Sequence, residues 1–243
     1  MVKSRPIPKL SIEYNAIELR ANTEKYFGCN CIGNTSKYLD YLSDTGNLTE
    51  YDFTSEEGLS ENILGKFEFH NKRILIYDGL KHNIGRENFT ICHEIGHLIL
   101  HYPLFVTQNR IVESSLNKPA ITFSCNRAMI EDINQCKIKD NLYWLEWQAN
   151  YFARCLLMPT NYLNELYNDF EIKPLNFKFS TGITYTNTDL LLAKNDLIGY
   201  VSHHCKSSRQ ATEIRLKELS LLNPDYLLVE DNIRISGQNE KQN

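Results

Sequence analysis

Apolar positions along the chain fall into runs whose spacing changes several times, and each change marks an expected element. Between Ile17 and Phe27, the residues Ile17, Leu19, Ala21 and Tyr26 stand among polar neighbours in a pattern that predicts a helix; a second helix is expected over Thr35–Leu42, after Gly33. The runs Lys66–His70 (KFEFH) and Arg73–Tyr77 (RILIY) are rich in β-branched and aromatic residues and flank Asn71-Lys72, which predicts a β-hairpin about a two-residue turn. From Arg86 to His101 the spacing becomes helical, with Phe89, Cys92, Gly96, Ile99 and Leu100 as the apolar stripe, and Pro103 is expected to end that helix. The stretch from about 104 to 140 is irregular apart from one expected strand, Ala120–Ser124. An excursion of that size inside a compact domain tends to be a functional lid or loop. Helical spacing resumes over Leu142–Met158, through Leu145, Ala149, Phe152, Leu156 and Leu157, and Pro159 closes it. Two more helices, Thr188–Lys194 and Arg209–Leu222, precede a polar tail.

These elements suggest an N-terminal helical segment at 1–55, a core at 56–185 containing the 104–140 excursion, a C-terminal helical subdomain at 186–235 and a disordered tail at 236–243. The order helix, strands, helix, excursion, helices is that of an α+β domain. A length of 243 residues, at about 150 per domain, allows one compact domain or one with an appended subdomain. With 42% hydrophobic and 23% charged residues the composition is that of a globular chain, not a disordered one. The net charge of −4 argues against a protein that wraps DNA or an anionic membrane. No apolar run approaches the roughly 18 residues that span a bilayer, and the opening MVKSRPIPKLSIEYN lacks the apolar core of a secretory signal. Seven cysteines, scattered without a repeating framework, are expected as reduced thiols in a cytoplasmic protein.

The chemistry concentrates in Thr90-Ile-Cys-His-Glu-Ile-Gly-His97, an H-E-x-x-H pattern inside the expected helix. Residues four apart lie one turn apart on one face, so His93 and His97 can converge on a tetrahedral Zn²⁺ at about 2.0–2.1 Å. Glu94 is offset by one residue, placed to reach a water on the metal and not the metal itself. Zinc brings the pKa of such a water to about 7, and a neighbouring carboxylate can then take its proton as it attacks a carbonyl. A catalytic zinc needs a third protein ligand and an open fourth position. Glu146, a carboxylate in the otherwise apolar helix at 142–158, is the best candidate, with Asn150 one turn on placed to hydrogen-bond a ligand histidine. His101 is the rival ligand, but it lies about 12 Å along the helix axis from His93 and is expected to be structural, near a helix C-terminus.

The run FTICHEIGHLILH, followed by EWQANYFARCLLMP, resembles the ImmA/IrrE family of zinc metallopeptidases. The segment Ala211–Leu222 resembles that family's C-terminal helix less specifically, and the similarity covers roughly residues 60–222. The resemblance implies a minimal zincin-like fold, in which a small twisted sheet and an active-site helix are joined by a second helix that brings the glutamate. It implies Zn²⁺ on His93, His97 and Glu146, with Glu94 as general base. It also implies a protein substrate, a helix-turn-helix repressor whose cleavage derepresses mobile-element or stress genes. The competing reading is a non-catalytic interaction module, stabilised by zinc and holding a regulator in the manner of a toxin–antitoxin pair. Glu94 discriminates, because a structural site has no use for a carboxylate beside its ligands and takes four protein ligands.

Other features are expected to be bland. His203-His204 reads as polar loop surface, Cys29-Asn-Cys31 as ordinary thiols and Cys92 as core. Residues 185–243 carry seven basic and eight acidic side chains, so the helix from Arg209 is not expected to bind nucleic acid. The oxyanion donor is open among Tyr102, His101 and a side chain of the 104–140 excursion, and Arg73–Tyr77 is expected to offer a sheet edge to an extended peptide.

Overall fold

A computed structural model describes residues 6–55, 59–107, 122–126, 141–170 and 187–222. The chain is α+β, mostly helical with one small sheet, and divides after Pro159 into two units. The division falls before residue 185, so the expected core at 56–185 is shared between them.

In the first unit, helix α1 (Lys9–Phe27) begins behind Pro8 and stops at Gly28, whose φ of +65° is the left-handed turn that glycine adopts without strain. It starts well before Ile17 because Ile12 and Ala16 continue the buried stripe of Leu19 and Thr23, the face that packs on α5 (Asn141–Leu157). Helix α2 (Ser36–Asp44) buries Tyr38, Leu39 and Leu42. The sheet follows, with β1 (Glu50–Thr54), β2 (Ile63–Glu68), β3 (Arg73–Tyr77) and, after a long connection, β4 (Thr122–Asn126). Its order is β1-β3-β2-β4, with β1 parallel to β3 and β2 antiparallel to both β3 and β4.

Three expectations change here. Residues 1–55 are not a separate helical segment: β1 pairs with β3, and α1 packs on α5. Strand β1 escapes notice because EYDFT is an edge strand with only partly buried side chains, lacking an apolar alternation. The hairpin turn spans Phe69–Lys72, since Glu68 pairs with Arg73, and Lys72 takes a φ of +49° to close it. Finally, β3 offers no edge to a peptide. Ile74, Leu75 and Ile76 are all buried, the consecutive run expected of a strand covered on both faces, and β3 is flanked by β1 and β2. Among the described strands the sheet ends at β1 and β4.

Helix α3 (Ile84–Gly96) lies between this sheet and α5 and is buried on all sides from Asn88 to Gly96, not only along the expected stripe. Asn83 caps it by accepting from the Arg86 N–H at 3.2 Å. The helix does not end at Pro103. It passes through one π-helical turn, His97–His101, and continues as α4 (Tyr102–Thr107). Proline has no N–H to donate and its ring crowds the carbonyl four residues back; the wider turn directly before it, with the Tyr102 N–H bonded to the His97 carbonyl, relieves that conflict.

The second unit contains α6 (Thr160–Asp169), which the apolar pattern did not predict, α7 (Asn187–Cys205) and α8 (Arg209–Glu218). Helix α7 runs far beyond Lys194, burying Ala193, Leu197, Ile198, Val201 and Cys205, so His203 and His204 sit on its last turn and not in a loop. Ser208 caps α8 by accepting from the Ala211 N–H. Arg215, fully buried, donates to the Thr160 hydroxyl at 3.0 Å, and Lys194 meets Glu213 at 2.9 Å. No described helix is long and apolar enough to cross a membrane. The tail at 236–243 and most of the 104–140 excursion lie outside the described residues, while the strand expected at Ala120–Ser124 appears two residues later as β4.

Candidate metal centre

The packing of α3 on α5 brings the expected ligands together. Gly96 makes the approach close: a Cβ there would stand 3.1 Å from the Ala149 Cα and 3.2 Å from its carbonyl oxygen. Across this contact His93 on α3 and His97, one turn on at the start of the π-helical turn, face Glu146 on α5. Among the described residues these three form a group whose ligand atoms all lie within 4.8 Å of one another, and all three are buried. The two Nε2 atoms are 3.0 Å apart; the Glu146 carboxylate lies 3.1 Å from His93 Nε2 and 3.5 Å from His97 Nε2. Four ligands around zinc at about 2.0–2.1 Å would be separated by about 3.3 Å, so the triangle has the right size for three of them. One carboxylate and two imidazoles are also the borderline ligand set that suits this ion.

The ring nitrogens turned away from the triangle are engaged, and this fixes which nitrogens point inward with a lone pair. His93 Nδ1 donates to Asn150 Oδ1 at 2.9 Å, the role expected of Asn150. His101 Nε2 donates to Gln148 Oε1 at 3.1 Å, which leaves His101 Nδ1 as an acceptor for the Nδ1–H of His97 at 2.9 Å. Both ligand histidines therefore present Nε2 as the free base. Three histidines at one-turn intervals on the α3 strand of helix thus meet Asn150, Glu146 and Gln148 on α5.

Electrostatics follow the same arrangement. Burial pushes His93 toward the neutral form, but the hydrogen bond and charge of Glu146, helped by Glu94, raise its pKa above the ordinary value. Burial dominates at His97, which is lowered. Burial and the adjacent His97 hold His101 well below the ordinary histidine range. Burial alone would raise Glu146; His97 and His93 beside it instead hold the carboxyl well below the usual carboxylate range.

Glu94, the expected base, is completely buried and packs against β2 at Gly65. A Cβ at Gly65 would stand 2.6 Å from Thr90 Cγ2 and 2.8 Å from Glu94 Oε1, so only glycine leaves this carboxylate its place. Sequence reasoning did not find Gly65, Gln148 or the role of His101. The signal was available for the last two: a third histidine at four-residue spacing, and an amide two residues beyond Glu146 in an apolar helix. His101 stands outside the three-residue group and not at a helix terminus; it is buried within a continuing helix and hydrogen-bonds His97.

Of the oxyanion candidates, His101 has both ring nitrogens committed, and the Tyr102 ring packs against Phe67 and Phe69 with Lys72 over its face. Cys92 is fully buried in the core as expected, and burial raises its thiol pKa. His203 and His204 are exposed and share no metal group with other described residues. No family model and no curated protein matches this chain.

Proposed function

We propose that this chain is a zinc-dependent endopeptidase with a zincin-like first unit, in keeping with the resemblance of its two central motifs to the ImmA/IrrE metallopeptidases. The observation that carries the reading is the pairing of a three-ligand group, His93, His97 and Glu146, with a buried carboxylate on the residue next to a ligand. Zinc, when bound there, would supply Lewis-acid activation of water and of the scissile carbonyl. Glu94 then takes the proton from the attacking water and delivers it to the departing amine. Gly65 holds the Glu94 carboxylate in position, while Asn150 and the His101–Gln148 pair keep His93 and His97 in the orientation that ligation needs. Three protein ligands among the described residues would leave a position for water, as in catalytic zinc sites, whereas structural sites take four protein ligands. An extended peptide would add to the edge at β1 or β4, because β3 is interior.

The substrate class, a helix-turn-helix repressor in the cytoplasm, rests on the family resemblance. Co-expression with the repressor encoded nearest the gene, comparing wild type with Glu94→Gln, tests the whole reading. A repressor cut to a discrete fragment by wild type only is the expected result, with zinc content equal in both proteins and the rate reduced by about 10²–10⁴-fold or more in the variant. Cleavage by Glu94→Gln at the wild-type rate would remove Glu94 from its role. An intact repressor in both would favour a zinc-stabilised module that binds a regulator without cutting it.

A further inference from the structure

The loop between α1 and α2 brings together a thiol and an amine that take no part in the metal group. Gly28 turns the chain out of α1, leaving Cys29 exposed, and Lys37 reaches back from the first turn of α2. Lys37 Nζ and Cys29 Sγ are 2.6 Å apart. A nitrogen donor meets an oxygen acceptor at about 2.7–3.2 Å, and sulfur is the larger atom, so a hydrogen bond to a thiol should be longer still. The separation is too short for two unbonded atoms and too long for a direct S–N bond; it is close to what one bridging atom spans.

The surrounding loop holds both groups in place. The Cys31 N–H donates to Glu24 Oε1 at 3.3 Å, the Ile32 N–H to Asn30 Oδ1 at 2.7 Å, and Lys37 Nζ lies 5.6 Å from the centre of the Phe27 ring. The neighbouring Cys31 is a poorer partner for Cys29. It is buried, its thiol faces the Cys29 carbonyl at 3.6 Å, and burial pushes its pKa up to about 11.

We propose that Cys29 and Lys37 form a reversible oxidative cross-link in which one oxygen atom bridges sulfur and nitrogen, with hydrogen peroxide as the oxidant. One peroxide oxidises the Cys29 thiol to the sulfenic acid and leaves as water. A second converts the Lys37 amine to a hydroxylamine and also leaves as water. The hydroxylamine oxygen then attacks the sulfenyl sulfur, an S–O bond forms, and the sulfenic hydroxyl departs with the hydroxylamine proton as a third water. One thiol, one amine and two peroxides thus give one bridge and three waters. Four electrons from two equivalents of a dithiol return the thiol, the amine and one water. The link closes a loop that contains Thr35, whose hydroxyl donates to Asn88 on α3 at 2.7 Å, so it braces that loop against the metal-carrying helix.

The full chain, treated with hydrogen peroxide and digested with trypsin without reductant, tests this. Trypsin does not cut after a bridged lysine, so residues 26–66 should emerge as one peptide, heavier by about 14 Da for one oxygen gained and two hydrogens lost. A dithiol should restore the normal mass and cleavage after Lys37. Cys29→Ser and Lys37→Arg, with unchanged melting temperatures, should abolish the added mass, and Cys31→Ser should retain it. A loss of about 2 Da in place of the gain would overturn the proposal, in favour of a disulfide if it disappears in Cys31→Ser or a sulfenamide if it disappears in Lys37→Arg. So would a gain of about 14 Da that persists in Lys37→Arg, or a Cys29 thiol left unmodified.

Discussion

At the scale of single residues, His101 sets the order of the site without belonging to the group of His93, His97 and Glu146. By accepting from His97 Nδ1 while donating to Gln148, it selects the tautomer that leaves His97 Nε2 as a ligand, and Asn150 does the same for His93. His101→Ala and Asn150→Ala should each weaken zinc binding by about 10–100-fold without abolishing it, as read by competition with a chromophoric chelator. Glu146→Ala, which removes a ligand outright, should lose far more; full occupancy in that variant would exclude it as the third ligand. The convergence of His93, His97, Glu146 and Asn150 was legible from the sequence because helical spacing fixes which side chains share a face. His101 was expected as a structural residue, but near a helix C-terminus that is absent, because the π turn absorbs the proline that was read as a stop. Gly65 could not be read at all, since the need for glycine arises only when β2 lies across Glu94, a contact between segments that no local pattern encodes.

Between elements, the decisive contact is α3 on α5. Gly96→Ala forces a methyl group to within 3.1 Å of the Ala149 backbone, so α5 must move and carry Glu146 with it. The expected result is a loss on the order of 1–3 kcal/mol in stability together with weaker zinc binding, measured by chemical denaturation and metal titration. Unchanged zinc affinity would mean that the helices adjust without moving the ligands. In the second unit, α7 and α8 are joined by buried Lys194 and half-buried Glu213, with Lys217 also on Glu213 at 2.7 Å. Burial opposes ionisation of Glu213, but the hydrogen bonds and charges of Lys217 and Lys194 lower its pKa overall. A carboxylate lowered in the folded state adds stability above its unfolded pKa of about 4.3, and that stability is lost as pH falls through the folded value. Glu213→Gln should therefore destabilise this unit at pH 7 by on the order of 1 kcal/mol, since the carboxylate is partly open to solvent, and the deficit should shrink on acidification below about pH 4. A deficit independent of pH would show that the ion pair is not its source.

For the molecule as a whole, the sequence conveyed the class, the hairpin and the two helices of the metal centre, because each has a strong period of its own. It did not convey that β1 completes the sheet or that α1 packs on α5, since β1 is an edge strand with partly exposed side chains and α1 leaves Leu10, Tyr14 and Ile17 exposed, which blurs its apolar stripe. An ion held between α3 and α5 would tie together two segments far apart in the sequence of the first unit. Removing it with a chelator should lower that unit's melting temperature by about 5–10 °C relative to protein with free zinc at 100 times its dissociation constant, and zinc should restore it. No shift on chelation would argue that the three ligands hold no metal in the folded protein.

The two histidines and their glutamate are separated by the whole stretch from residue 98 to 145. During synthesis, the histidines leave the ribosome long before the carboxylate that completes the triangle, and Asn150 and Gln148 come later still. A nascent chain can offer an ion only a weak, two-pronged grip. Loading of a metal at this group would therefore be a late event, one that reports the arrival of α5 and does not seed the fold.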